Sequence, residues 1–160
     1  MIDLETTVEI SRPVDEVFTY VADQTNAPQW QNGLQEVRRL TAGPIGAGSQ
    51  HEFIRRFAGR EIATRNRFVE FEEGRYVRFE IIEGWLTGQA SYLTEPSPGG
   101  TVLTSRMHFT AHGYAAFLEP LLGRVLARDS RRDEKRLKRL LESGALQHTP
   151  EAAAPPSVEG

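Results

Sequence analysis

Two pairs of residues have the types and spacing to do chemistry. Asp129 and Asp133 stand four apart in a stretch of helical periodicity, and His51 and Arg55 stand four apart in a stretch that alternates. A carboxylate on the inner face of a helix either pairs with an arginine or has a raised pKa, and the second state suits general acid–base work. Arg132 and Arg136, three or four residues away, offer a plain ion-pair cluster as the other reading. An inward imidazole can move a proton, and an inward guanidinium can hold a carboxylate or phenolate. His51, Arg55 and Asp129 are therefore the candidate catalytic residues.

Other chemistries are weakly supported. The chain has no cysteine, which removes disulfides, thiolate metal sites and a cysteine nucleophile. His108 and His112 straddle a strand end and Gly113, so they lack the helical i,i+4 spacing of a metal pair, and His148 lies near the C-terminus. Neither a metal nor a cofactor is expected. Gly43-Pro-Ile-Gly-Ala-Gly48 sits between two strands rather than ahead of a helix, so it is a turn and not a phosphate loop.

A ligand pocket would need apolar lining. Trp30, Phe53, Phe57, Trp85 and Tyr92 supply aromatic surface, and Phe117, Leu121 and Val125 add apolar surface from the terminal helix. The same residues would equally serve as core. Phe53 and Phe57 share strand parity with His51 and Arg55, so all four should point inward, with Glu52, Ile54 and Arg56 outside.

The elements that must position these groups follow from pattern. Leu4, Thr6, Val8 and Ile10 alternate with Asp3, Glu5, Thr7 and Glu9, giving a strand with one buried face. Ser11-Arg-Pro13 opens a short helix with Val14, Val17, Phe18 and Val21 inside, and Trp30 follows in a second short helix or turn. From Leu34 to Phe109 the chain predicts six strands joined by short turns, an antiparallel meander in one sheet too wide to stay flat. A long helix over 115–142 carries an apolar stripe at Leu118, Leu121, Leu122, Val125 and Leu126. Asp129, Arg132, Asp133 and Arg136 interrupt the stripe before Leu137, Leu140 and Leu141. Residues 144–160 have little to bury and are expected to form a disordered tail after a single domain over 1–143.

At 160 residues with 39% hydrophobic and 26% charged side chains, one soluble globular domain is expected. The net charge of −3 does not suggest nucleic acid. No run is long and apolar enough for membrane insertion, and the acidic start resembles no secretion signal, so the expected compartment is the cytoplasm. Between Arg124 and Arg139 eight basic residues meet three acidic ones. A solvated outer face is the ordinary reading of that run. Sheet edges or this basic helix could also pair two copies in a homodimer.

Strand, two short helices, six strands and a long C-terminal helix is a specific order. Val8-Glu-Ile-Ser-Arg-Pro-Val-Asp-Glu-Val-Phe18, Asn26-Ala-Pro-Gln-Trp30, Gly46-Ala-Gly-Ser49, Arg67-Phe-Val-Glu-Phe71, Gly99-Gly-Thr-Val-Leu-Thr104 and Arg136-Leu-Lys-Arg-Leu-Leu-Glu142 occur in that order. Over about Val8 to Glu142 the chain resembles the START and birch-pollen-allergen-like superfamily, and within it the polyketide cyclase/dehydrase and lipid-transport group. The resemblance implies an α+β helix-grip fold, a curled seven-stranded sheet around the terminal helix. It implies that a small hydrophobic or amphipathic ligand (a lipid, polyketide, isoprenoid or aromatic molecule) binds in an internal cavity. An aromatic polyketide cyclase or dehydratase is the first alternative. A protein-interaction module, chaperone-activator-like or toxin-like, is the second.

Overall fold

The computed structural model describes residues 1–57 and 59–144; the side chain of Phe57 and the expected tail beyond Gly144 lie outside the described residues. Strand β1 (Ile2–Ile10) leads to helix α1 (Val14–Ala22) and a 3₁₀ segment (Gln24–Gln29). Six strands follow: β2 (Leu34–Arg39), β3 (Gln50–Phe57), β4 (Arg60–Glu72), β5 (Tyr76–Glu83), β6 (Leu86–Ser97) and β7 (Gly100–Ala111). A second 3₁₀ segment (Gly113–Leu118) then enters helix α2 (Glu119–Glu142). All seven strands form one antiparallel sheet in the order β1-β7-β6-β5-β4-β3-β2, curled into a half-barrel against the long helix. The helix-grip architecture is the one observed.

Alternation decides which side chains enter the concave face. Ile2 and Ile10 of β1, Leu103, Ser105 and Phe109 of β7, and Val77 and Phe79 of β5 are buried, while their neighbours face out. On β3, His51 and Phe53 are buried, Glu52 and Ile54 only partly so, and Arg56 is exposed, so the inward parity is the expected one. Aromatic rings run across this face in a row. Phe68 lies 6.0 Å from Phe79, Phe79 lies 5.9 Å from Tyr92, and Tyr92 lies 6.3 Å edge-on from Trp30. Phe18 of α1 caps the row against Phe71 at 5.6 Å. Each such ring contributes about 2–3 kcal/mol by burial.

The terminal helix departs from its expected form in two respects. It begins at Glu119 rather than Ala115, with Pro120 in its first turn. The proline ring would strike the carbonyl four residues earlier, so the chain upstream takes a 3₁₀ path instead. The buried face also differs. Glu134, Leu137 and Leu141 are buried, whereas Leu118, Leu121 and Val125 are exposed at 55%, 58% and 42%. Leu121 precedes Leu137 by about 160° at 100° per residue and turns away from the sheet, while Leu122 and Leu126, within about 60° of Leu137, pack against the main core as expected.

At Gly88 and Gly100 the neighbouring backbone leaves no room for a Cβ, and the approach is tighter at Gly88. Gly88 in β6 has φ +133°, and a Cβ there would sit 2.0 Å from the carbonyl oxygen of His108 on the paired strand. Gly88→Ala is therefore expected to cost about 3 kcal/mol in urea unfolding, through strain and clash together. Gly43→Ala is the control. It shares a positive φ (+88°) but meets no atom within 4 Å, so it should cost about 1 kcal/mol.

Candidate functional site around Arg55

Four parts of the chain converge on Arg55. Inward parity on β3 directs its side chain beneath α2. The turn after the first 3₁₀ segment brings Gln31, whose Oε1 accepts a hydrogen bond from Arg55 Nη2 at 2.9 Å. The next residue pins the helix: the Asn32 backbone N–H donates to Asp133 Oδ1 at 3.0 Å. Tyr92, on β6, is buried and completes the cluster, its hydroxyl meeting the Gln31 side chain.

The charges in this cluster are close but unpaired. Among the described residues Arg55 forms one hydrogen bond, to Gln31, and no ion pair within 4.0 Å. Burial pulls its guanidinium below the ordinary arginine value, while Tyr92, Asp133 and Asp129 pull it back up. It stays charged. Burial raises the Asp133 carboxyl first; Asn32 lowers it, Asp129 adds to the rise, and Arg55 and Arg136 oppose it. Burial also raises Tyr92 well above a free phenol, with Arg55 opposing. The result is a fixed set of N–H donors beside a carboxyl whose proton is held more tightly than usual. Such a set can grip a ligand oxygen and exchange a proton near it.

Glu134, one residue on from Asp133, is turned the other way. Its carboxyl accepts hydrogen bonds from the hydroxyls of Thr6 and Ser105, which face each other across the β1–β7 ladder. Burial raises its pKa, and the two hydroxyls lower it. Sequence reasoning missed this residue. The signal was present in two small hydroxyls at inward strand positions and in a glutamate in phase with Leu137 and Leu141.

His51 is brought to a different place. It lies four residues from Arg55 along β3, about 13 Å at ordinary strand rise. The ring is 0% exposed, stacked obliquely on Phe68 at 5.1 Å. Asn66 faces it across the ladder, near enough to favour the charged ring, yet neither ring nitrogen has a hydrogen-bond partner of good geometry. Asn66 Oδ1 and Arg39 Nε are likewise unpartnered, while Asn66 Nδ2 donates to Gln24 Oε1 at 2.8 Å. Burial and the Arg39 charge hold the imidazole below its ordinary value, against Asp23 and Asn66.

The other candidates divide. Trp30 is buried against Tyr92 at the edge of the Arg55 cluster, and Asp129 is partly exposed and within electrostatic reach of it. Phe53 packs in a separate group with Ala27, Leu34 and Val37. Trp85 is partly buried against the main core, its carbonyl accepting from the His112 N–H. Phe117, at 86% exposure, joins Leu121 and Val125 on the solvent side and lines no enclosed space. Two open depressions among the described residues lie elsewhere. One of about 490 Å³ crosses the convex face between Asp3, Arg78, Gln89 and Arg106, and one of about 460 Å³ lies between β1 and the start of α2.

The titration of His51 has a measurable consequence. Its folded pKa lies below the ordinary 6.5, so on acidification the unfolded chain binds the proton first. Its stability contribution is whole above about pH 6.5 and is lost as the pH falls below that. Asp133 and Glu134 have raised values and act in the opposite sense, losing stability as the pH rises above the ordinary carboxyl range. His51→Leu should therefore be at least as stable as the parent at pH 7, and its advantage should widen toward pH 5, measured by denaturant unfolding at each pH.

Solved structures share this fold at low identity. TTHA0849 from Thermus thermophilus matches with a TM-score of 0.73 and 14% identity, over 90% of this chain and 98% of that one. The Zhui aromatase/cyclase from a Streptomyces species matches with a TM-score of 0.71 and 18% identity, over 89% and 94%. Ara h 8.0201 matches with a TM-score of 0.66 and 13% identity, over 88% and 97%. No curated protein matches the sequence. The family model described as polyketide cyclase / dehydrase and lipid transport matches residues 1–142, and the chain belongs to that family.

Proposed function

We propose that this protein binds a small hydrophobic molecule bearing a carboxylate, phenolate or carbonyl oxygen, held between the concave sheet and α2 with that oxygen on Arg55. The observation that carries this reading is the Arg55 guanidinium, half-buried with a single hydrogen bond to Gln31 and no ion pair among the described residues. Enclosing a cation costs free energy, and leaving it unpaired beside two carboxylates is a poor way to stabilise a fold. The arrangement makes sense when a ligand supplies the missing acceptor. The row from Phe79 through Tyr92 to Trp30 offers flat apolar surface beside it.

A second reading is favoured by Asp133. Its raised carboxyl, pinned by Asn32 and set in the field of Arg55, suits proton transfer to or from a carbon next to a carbonyl that Arg55 polarises. That is the chemistry of enolisation and dehydration in a polyketone, and an aromatase/cyclase stands among the structural relatives. A cytoplasmic location fits either reading.

Calorimetric titration with a panel of fatty acids, aromatic carboxylates and polyphenols tests the first reading. Arg55→Met should weaken binding of the best ligand about 10- to 100-fold, the loss of one or two charge-assisted hydrogen bonds. Arg55→Lys should restore part of it. Affinity unchanged in both variants would remove Arg55 from the site. Asp133→Asn separates the readings: a binder keeps its affinity within a few-fold, and a cyclase or dehydratase also loses turnover about 100-fold or more.

A further inference from the structure

An apolar patch at the start of the terminal helix continues into a row of unpaired cations. Tyr114 and Phe117, on the second 3₁₀ segment, are 93% and 86% exposed, and Leu118, Leu121 and Val125 follow at 55%, 58% and 42%. On the same side of α2 stand Arg124, Arg128, Arg131, Arg132, Lys135 and Arg139, all exposed, and none forms an ion pair among the described residues. At 100° per residue Leu121, Arg128, Arg132 and Arg139 fall within about 40° of one another. Four of the helix's acids are turned away from this side. Glu119 takes the N-terminal amine, Glu134 is buried under Thr6 and Ser105, and Asp129 and Asp133 face Arg55.

The geometry points to this face as a docking surface for an anionic lipid bilayer, α2 lying along the headgroups with Tyr114, Phe117 and Leu121 dipping below them. Charge complementarity selects the occupant. A second copy set face to face would bring six cations against six, which repels. Nucleic acid would use the arginines and leave two nearly fully exposed aromatic rings in water. A lipid interface uses both, since aromatic and aliphatic side chains partition at its boundary and cations meet its phosphates. No helix among the described residues is long and apolar enough to cross a membrane, so the contact is peripheral. The inference does not rest on the ligand reading, although Val125 lies one turn before Asp129 and so links the patch to the Arg55 cluster along one helix.

Co-sedimentation of the full chain with vesicles tests it. Vesicles of phosphatidylcholine with about 30% phosphatidylglycerol should bind at least about tenfold more tightly than pure phosphatidylcholine. The binding should weaken as salt rises from about 0.05 to about 0.5 M. Phe117→Ser with Leu121→Ser should lose about tenfold, and Arg128→Gln with Arg132→Gln about tenfold or more. All four side chains are exposed, so the unfolding midpoint should stay put, which separates lost docking from lost folding. Failure to bind anionic vesicles, equal binding to both kinds, or full binding by either double variant overturns the proposal. So does a dimer in sedimentation equilibrium that the Phe117 and Leu121 changes dissociate, which would assign the patch to a second copy.

Discussion

The buried carboxyl of Glu134 determines where the terminal helix lies. A curled antiparallel sheet presents a concave face that one helix must cover, and an apolar stripe alone would let that helix slide or roll. Two hydroxyls facing each other across the β1–β7 ladder, Thr6 and Ser105, accept only one placement of one carboxyl. Burying that group opposes folding by several kcal/mol unless its hydrogen bonds are made in full, so the alternatives to this register are heavily disfavoured. Leu137 and Leu141 then pack on the same face as a matter of helical phase.

Two consequences follow from that single placement. Asp133, one residue earlier, is rotated about 100° toward Arg55 and the loop at Asn32, and Asp129 lies one turn before it on the same side. The carboxylates near Arg55 are therefore set by the Glu134 contact about 100° around the helix together with the Asn32 N–H on Asp133. Leu121 and Val125, turned well away from Leu137, are left in solvent, while Leu122 and Leu126 pack on the core. The buried Glu134 and the exposed Leu121 are two results of one helix phase. Proteins depart from the inside-apolar rule mainly where function requires it, and this helix departs from it at the exposed Leu121 and Val125 and at the buried Glu134.

Much of this was legible in the sequence. The alternation of Leu4, Thr6, Val8 and Ile10 and the turn residues between successive strands specify the meander without tertiary information. The parity of His51, Phe53 and Arg55 holds because a strand has a period of two, and an error of one residue would reverse it. The helix was harder. The apolar residues of its first turns span too wide an arc to name one face: Leu122 and Leu126 are in phase with Leu137, Leu121 and Val125 are not, and Glu134 reads as one charge among several. Phe117 shows another limit: residue type reports the capacity to bury, while position in the fold decides whether burial occurs. Gln31 and Gln24 reach their partners from irregular segments, where no periodicity reports direction.

In the proposed function a ligand oxygen completes the cluster at Arg55. Native mass spectrometry of the freshly purified protein, followed by denaturing extraction, tests it most directly. The expected result is a co-purifying or readily added hydrophobic molecule with an acidic or carbonyl oxygen, retained by the parent and lost from Arg55→Met. A bare mass for both proteins, unchanged by fatty acids, aromatic carboxylates and polyphenols, would contradict it.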